Sequence, residues 1–226
     1  MNKFILLFLM IFSIQSKEIL LTTDNTVFLR DEVSGVSVSE IQSEIVNLYF
    51  KNSREPIYLV IDSPGGEIVA GEAFILFAKT IPNLHTITIN AASMAHAFVQ
   101  AIPGKRYCVD SCSLMAHRAR GGLQGQIETG ELESRLKFWK SFVRNMEQRN
   151  ANRIGISLEK YKSNVKDEWW CFGKECKEIN FVDEIVDIRC SKKLINSYKV
   201  VVRSSLFSTE KVKYSKCPLL PYPIQE

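Results

Sequence analysis

Ile57–Ile61 (IYLVI) is an unbroken apolar run that leads straight into the turn residues Asp62-Ser63-Pro64-Gly65-Gly66. A strand without polar alternation has both faces covered, as in a parallel sheet flanked by helices. A helical pattern follows from Ile68 to Lys79, then a strand at Thr86–Ile89, a short helix from Ser93, and strands near Arg106–Val109 and Leu114–Ala116. Upstream, Thr26–Leu29 reads as a strand. Ser37–Lys51 reads as a helix, with a Ser37/Glu40 capping box and Ile41, Ile45, Leu48 and Tyr49 on one face. Strand–helix–strand order repeated in this way argues an α/β fold with a parallel sheet. Glu131–Asn150 is predicted to be a long, charged amphipathic helix carrying Leu132, Leu136, Trp139, Phe142, Val143 and Met146. Short helices at Ser157–Val165 and Gly173–Ile179 precede a strand at Phe181–Ile188. The tail beyond Arg203, with Pro218, Pro221 and Pro223, is expected to lie on the surface.

The 226 residues suffice for one domain with one core. A net charge of +4 without any long basic run leaves no nucleic-acid footprint. Lys3, the apolar run Phe4–Ile14, then Gln15-Ser16 ahead of Lys17-Glu18 have the layout of a secretory signal peptide over residues 1–16. A run of eleven residues, nearly all apolar, is too short for a bilayer core, which needs about 20 in a helix. The chain is therefore expected to be secreted or periplasmic, with a retained membrane anchor as the alternative. Six cysteines, in the groups Cys108/Cys112, Cys171/Cys176 and Cys190/Cys217, fit disulfides in an oxidising compartment. Their spacings do not suit zinc, and no metal or cofactor is expected.

Three short segments carry chemistry. Ser63-Pro64-Gly65-Gly66 joins a buried strand to a helix, where glycines bring bare N–H groups close to a ligand and negative charge is stabilised. Ala91-Ala92-Ser93-Met94-Ala95 surrounds a serine with small residues, leaving room for a carbonyl at Oγ; taken alone, Ser93 reads first as a helix N-cap. Leu114-Met115-Ala116-His117 ends an apolar strand in one of only three histidines.

Together SPGG, AASM, MAH and Gly121–Gln126 (GGLQGQ) closely resemble the proteolytic subunit of the Clp protease, the ClpP family, from about Thr26 to Val186. Gly104-Lys105-Arg106, Ser157-Leu158-Glu159 and Phe181-Val182-Asp183 extend the likeness. The resemblance implies the ClpP/crotonase-like fold of repeated β-β-α units with a protruding handle strand and helix at about 122–152. The peptidase domain would span 17–188 and a C-terminal extension 189–226. It implies a serine-type endopeptidase with Ser93 as nucleophile, His117 as general base and the Gly66 and Met94 amides as oxyanion hole. Substrate contacts fall on Gly65, Gly122, Leu123 and Gln124. Counting back from Phe181-Val182-Asp183 places Glu168 at the third catalytic position, with Asp167 just before it. It also implies a homo-oligomer of stacked heptameric rings acting on peptides or unfolded proteins.

Ala95 and His96 depart from the glycine expected after the AASM methionine. The segment before the first strand is shorter than in members that dock an ATP-driven unfoldase, so cleavage without one is expected. A second reading is a catalytically dead exported ring that serves as a binding scaffold. A crotonase-type enzyme is disfavoured because coenzyme A is intracellular and the leader points outward. The serine–lysine arrangement of signal peptide peptidase A fits less well than His117.

Overall fold

Apolar runs of the chain become the central strands of a seven-stranded sheet whose spatial order is set by parallel crossovers. The computed structural model describes residues 16–121, 128–204, 209–220 and 222–223. In chain order the elements are β1 (Lys17–Leu21), β2 (Thr26–Arg30), α1 (Gly35–Lys51), β3 (Ile57–Ser63), α2 (Ile68–Ala78), β4 (Leu84–Ala92), α3 (Met94–Ala101) and β5 (Arg106–Ala116). They continue as α4 (Thr129–Ile154), α5 (Leu158–Asn164), β6 (Trp169–Phe172), α6 (Lys174–Glu178), β7 (Glu184–Cys190), α7 (Lys192–Ile195), β8 (Tyr198–Ser204) and β9 (Thr209–Ser215). The sheet runs β1-β7-β5-β4-β3-β2 with every pair parallel, and β6 adds antiparallel to β5. The mixed α/β architecture expected from the sequence is the one observed.

Helices α1 to α3 cover one face of the sheet through a core that includes Ile45, Leu59, Ile61, Phe74 and Phe98, all fully buried. The Phe74 and Phe98 rings meet at 4.6 Å and lock α2 onto α3. Each such side chain contributes roughly 1.5–3 kcal/mol by leaving water. A second cluster, containing Ile19, Leu21, Val60, Ile87, Val186, Leu194, Cys190 and Cys217, packs apart from the first.

Several elements differ from expectation. Helix α1 starts two residues early: Ser34 is the N-cap and Ser37, not Glu40, closes the capping box, with Ser37 N donating to Ser34 Oγ at 3.2 Å and Ser34 N to Ser37 Oγ at 2.9 Å. Glu40 is left to pair with Lys199. The two strands read at Arg106–Val109 and Leu114–Ala116 are one continuous strand, β5, whose register against β4 shifts after Cys108. The strand read at Phe181–Ile188 begins at Glu184, as β7, because Phe181 N and Val182 N turn back to the Cys176 carbonyl in α6. Strands β1 and β6 are short and were not read from the sequence.

The tail is also more structured than a surface coil. Strands β8 and β9 form an antiparallel hairpin, and the expected Cys190–Cys217 disulfide ties its base to β7. Arg30 lies over the Tyr214 ring at 4.8 Å. A second disulfide joins Cys171 to Cys176, whereas Cys108 and Cys112 are buried free thiols. Residues 1–15, with nearly all of the leader, and residues 122–127, with the expected handle strand and Gly122, Leu123 and Gln124, lie outside the described residues. Helix α4 exposes Leu132, Leu136 and Phe138 over its first half and packs Met146 against the core over its second. Among the described residues no helix is long and apolar enough to cross a membrane.

Candidate active site

Between the end of β4 and the start of α3 stands a single residue, Ser93, at φ 55° and ψ −118°. Positive φ in a non-glycine residue costs on the order of 1–3 kcal/mol and persists only where neighbours hold it. Here Ser93 N donates to the Met115 carbonyl of β5 at 2.9 Å, and the Ser93 carbonyl accepts from Ala97 N at 3.2 Å. Although Ser93 occupies the N-cap position of α3, its side chain makes no capping hydrogen bond. The hydroxyl faces His117 instead, with Oγ 2.6 Å from Nε2.

His117 is placed by the same strand. Met115 pairs with Ala92 in the β4–β5 register, so Ala116 comes level with Ser93 and His117, just past the end of β5, lies one step beyond it. Burial, then the Arg120 guanidinium, push the His117 imidazole below its ordinary range, and the Glu168 charge works in the opposite direction. A neutral imidazole at Nε2 is free to accept a hydroxyl proton. Its other nitrogen, Nδ1, is buried with no hydrogen-bond partner among the described residues.

The Ser63–Gly66 turn presses against the serine. Gly65 has φ 94°, and a Cβ there would stand 2.7 Å from Ser93 Cβ and 2.8 Å from Met94 N. Gly66, at φ 150°, would drive a Cβ to 2.2 Å from the Val33 carbonyl. Val33 N donates to Gly65 O and Glu67 N donates to Val33 O, which leaves the Gly66 N–H on the opposite side of the chain from Val33. Met94 is the first residue of α3, where an amide has no partner within the helix. The buried Met94 side chain lies against α2 at Gly71, where a Cβ would come within 2.4 Å of its Cγ.

Glu168 precedes β6. Ala116 pairs with Trp169 across the antiparallel β5–β6 ladder, and one step further that register sets Glu168 opposite His117. Its carboxylate is engaged elsewhere: Oε2 accepts from Trp170 Nε1 at 3.0 Å and Oε1 lies 3.6 Å from the Arg120 guanidinium. Asp167, one residue further out, is exposed. The structure thus gathers Ser93, His117, Gly65, Gly66 and Met94, holds Glu168 nearby but unbonded to His117, and leaves Asp167 outside the group.

Beside Ser93 opens a cavity of about 40 Å³ lined by Ile68, Met94, His96, Ala97, Val143 and Met146, together with Glu147, Asn150 and Tyr161. His96 is buried, its ring tilted against Phe181 with centroids 4.6 Å apart, and its Nε2 lies 3.3 Å from Gln100 Nε2. Gln100 Oε1 accepts from Arg106 at 2.7 Å, and the buried Arg106 also donates to Asp183 and Asn180. This network ties the GKR and FVD segments to the base of α3. Reading the sequence missed the polar cavity residues. A signal was available, since Asn150 interrupts the apolar stripe that Val143 and Met146 continue along α4. Among the described residues no three His, Cys, Asp or Glu side chains are grouped to hold a metal ion.

A model of the family described as Clp protease matches residues 13–189. The chain belongs to the Clp protease family. The match covers every segment that meets at Ser93, from the Ser63–Gly66 turn to Glu168, and serine peptidase activity is the family's chemistry. In this Clp protease family member, α7 and the disulfide-tied hairpin lie beyond the matched residues.

Proposed function

We propose that the chain is a serine endopeptidase in which Ser93 is the nucleophile, His117 the general base, and the Gly66 and Met94 amides the oxyanion hole. One observation carries this reading: Ser93 is held in a strained conformation, its hydroxyl withdrawn from helix capping and set 2.6 Å from His117 Nε2. A serine hydroxyl is a weak nucleophile until an adjacent base takes its proton. In the proposed reaction Oγ attacks the scissile carbonyl carbon while Nε2 accepts the hydroxyl proton. The carbonyl oxygen becomes an oxyanion and accepts hydrogen bonds from the two amides, each worth about 2.7–4 kcal/mol in the transition state. Collapse of this intermediate expels the amine, which takes the proton from Nε2 and leaves an acyl-serine. Water, deprotonated by Nε2, then attacks the ester and restores Ser93.

Glu168 is the proposed third member, supported by its register position opposite His117. It serves by turning from Arg120 and Trp170 to accept the Nδ1–H. The leader at residues 1–16 supports export, and the strand β1 begins at Lys17, immediately after it. In an exported chain no ATP is at hand, so the proposed substrates are peptides or already unfolded chains. The exposed apolar residues Leu132, Leu136 and Phe138 on α4 support assembly into rings through this helix.

Labelling of the purified mature protein with a fluorophosphonate probe tests the reading. Modification at Ser93, abolished in Ser93→Ala with assembly intact, is the expected result. An unlabelled wild-type protein would favour the binding-scaffold reading, which the unpartnered His117 Nδ1 keeps in view.

A further inference from the structure

The cavity beside Ser93 ends at Glu147 and Asn150, whose side-chain oxygens accept no hydrogen bond among the described residues. Val143, Met146, Glu147 and Asn150 follow one another at helical spacing on one face of α4, and all four line it. The Asn150 amide nitrogen donates to Tyr161 Oη at 3.2 Å, but its oxygen is buried with no partner on a residue only 5% exposed. An unpaired buried acceptor of this kind typically costs about 1–3 kcal/mol. The Glu147 side chain is 15% exposed and accepts no hydrogen bond among the described residues; its nearest cation, Lys162 Nζ, stands 3.7 Å away and is half exposed.

Among the described residues no other side-chain cation lies within ion-pair distance of Glu147. Arg149 is turned to Glu72, to which it donates at 2.8 Å. His96 is held neutral by burial, its affinity for a proton lowered to a pKa of about 3. The rest of the lining, from Ile68, Met94, Ala97, Val143 and Met146, is apolar. A slot with apolar walls, a carboxylate and an orphan amide oxygen is complementary to an aliphatic stem tipped by a cation with several N–H donors.

Resting on the peptidase reading, we propose that this cavity receives the substrate side chain on the acyl side of the scissile bond and selects lysine there, through Glu147 and Asn150. Lysine is favoured over arginine because about 40 Å³ holds roughly three waters' worth of ligand, which suits a compact ammonium better than a planar guanidinium. An apolar residue at that position leaves the Asn150 oxygen without a donor and Glu147 with only the half-exposed Lys162 at 3.7 Å. An acidic one meets Glu147 at close range.

The test is a panel of fluorogenic peptides that differ only at the residue before the cleaved bond: lysine, arginine, methionine, leucine or aspartate. Active sites are counted with the fluorophosphonate probe. The wild-type protein is expected to show kcat/KM for lysine at least tenfold above methionine, with aspartate lowest. Glu147→Gln is expected to lower the lysine-to-methionine ratio about tenfold, and Asn150→Leu to lower it severalfold. The second variant keeps the test open where the first does not fold. Labelling of Ser93 together with a leucine or methionine preference, or a ratio unmoved in both variants, overturns the lysine pocket alone. Absence of both labelling and cleavage overturns the peptidase reading and this inference with it.

Discussion

His117 Nε2 lies 2.6 Å from Ser93 Oγ while its Nδ1 is buried without a partner among the described residues. Half of a serine–histidine–carboxylate relay is therefore assembled, and the other half depends on a carboxylate that presently binds Arg120 and Trp170. Without an acceptor at Nδ1 the imidazolium formed during attack is not stabilised.

Removing that carboxylate and removing its competitor should therefore act in opposite directions. Glu168→Ala is expected to lower kcat by about two orders of magnitude or more with KM little changed, as for an interaction made in the transition state. Arg120→Ala frees Glu168 and is expected to raise kcat severalfold. The same variant has a pH signature. Arg120 is one of the two causes that depress the His117 pKa, so its removal should shift the acid limb of kcat/KM upward, towards the ordinary imidazole value. Steady-state profiles of both variants between pH 5 and 8, a window of about one and a half units either side of an ordinary imidazole pKa, check this. A silent Glu168→Ala beside a crippled Asp167→Ala would move the third member one residue back.

Gly65 is expected to be intolerant of any side chain. A methyl group there meets Ser93 Cβ at 2.7 Å and Met94 N at 2.8 Å, and the backbone φ of 94° is itself unfavourable for alanine. Gly65→Ala must displace the serine or the adjoining amide, so probe labelling should fall more than tenfold. Thermal unfolding of the variant should show a loss of at least about 1 kcal/mol. Full labelling would mean that the turn does not set the position of Ser93.

How far such features could be read in advance followed from the range of the forces involved. The apolar run Ile57–Ile61 and the small residues around Ser93 announce themselves locally, and the sheet and the segments that bring Ser93 and His117 together were legible. Strand β6 was not. Its four residues, Trp169–Phe172, form a strand only because β5 offers them an antiparallel edge, a long-range cause that leaves no periodicity. The hairpin of the tail has a similar cause: it is anchored by Cys217 and Tyr214, far in sequence from their partners, and leaves no local signal beside the prolines. His96 stood out as a departure from the family pattern, but its burial against Phe181 and Gln100 depends on residues that only the fold brings near.

The Cys190–Cys217 disulfide is expected to stabilise the protein by closing a loop with a sequence separation of 27. A loop of that length contributes about 3.5 kcal/mol through the unfolded state. The paired change Cys190→Ser with Cys217→Ser should lower the denaturation free energy by an amount of that order. Both residues lie in the cluster with Ile19 and Leu21, away from the core that holds Met94, so probe labelling of Ser93 should persist. Denaturant titration and mass spectrometry of the non-reduced protein check the two halves of this expectation.

Acid sensitivity should trace in part to His96. Burial, and secondarily the charge of Arg106, lower its pKa to about 3, so the folded protein resists binding a proton that the unfolded chain accepts near 6.5. The stability from the neutral ring is therefore complete above about pH 6.5 and is lost as the pH falls from there towards 3. The slope in that window is about 1.4 kcal/mol per pH unit for one group. Asp183, whose pKa is lowered by its bonds to Arg106, loses its contribution only below the usual carboxylate range, so the two effects separate on the pH axis. His85 and His117 are also depressed, chiefly by burial, and add smaller slopes of the same sign. Denaturant unfolding at intervals from pH 7.5 to 4.5, roughly one unit above and two below the unfolded imidazole pKa, should show a steady fall for the wild-type protein. In His96→Gln, which keeps a polar group beside Gln100 but cannot titrate, the fall should be markedly shallower. An unchanged slope in that variant would place the acid sensitivity elsewhere in the molecule.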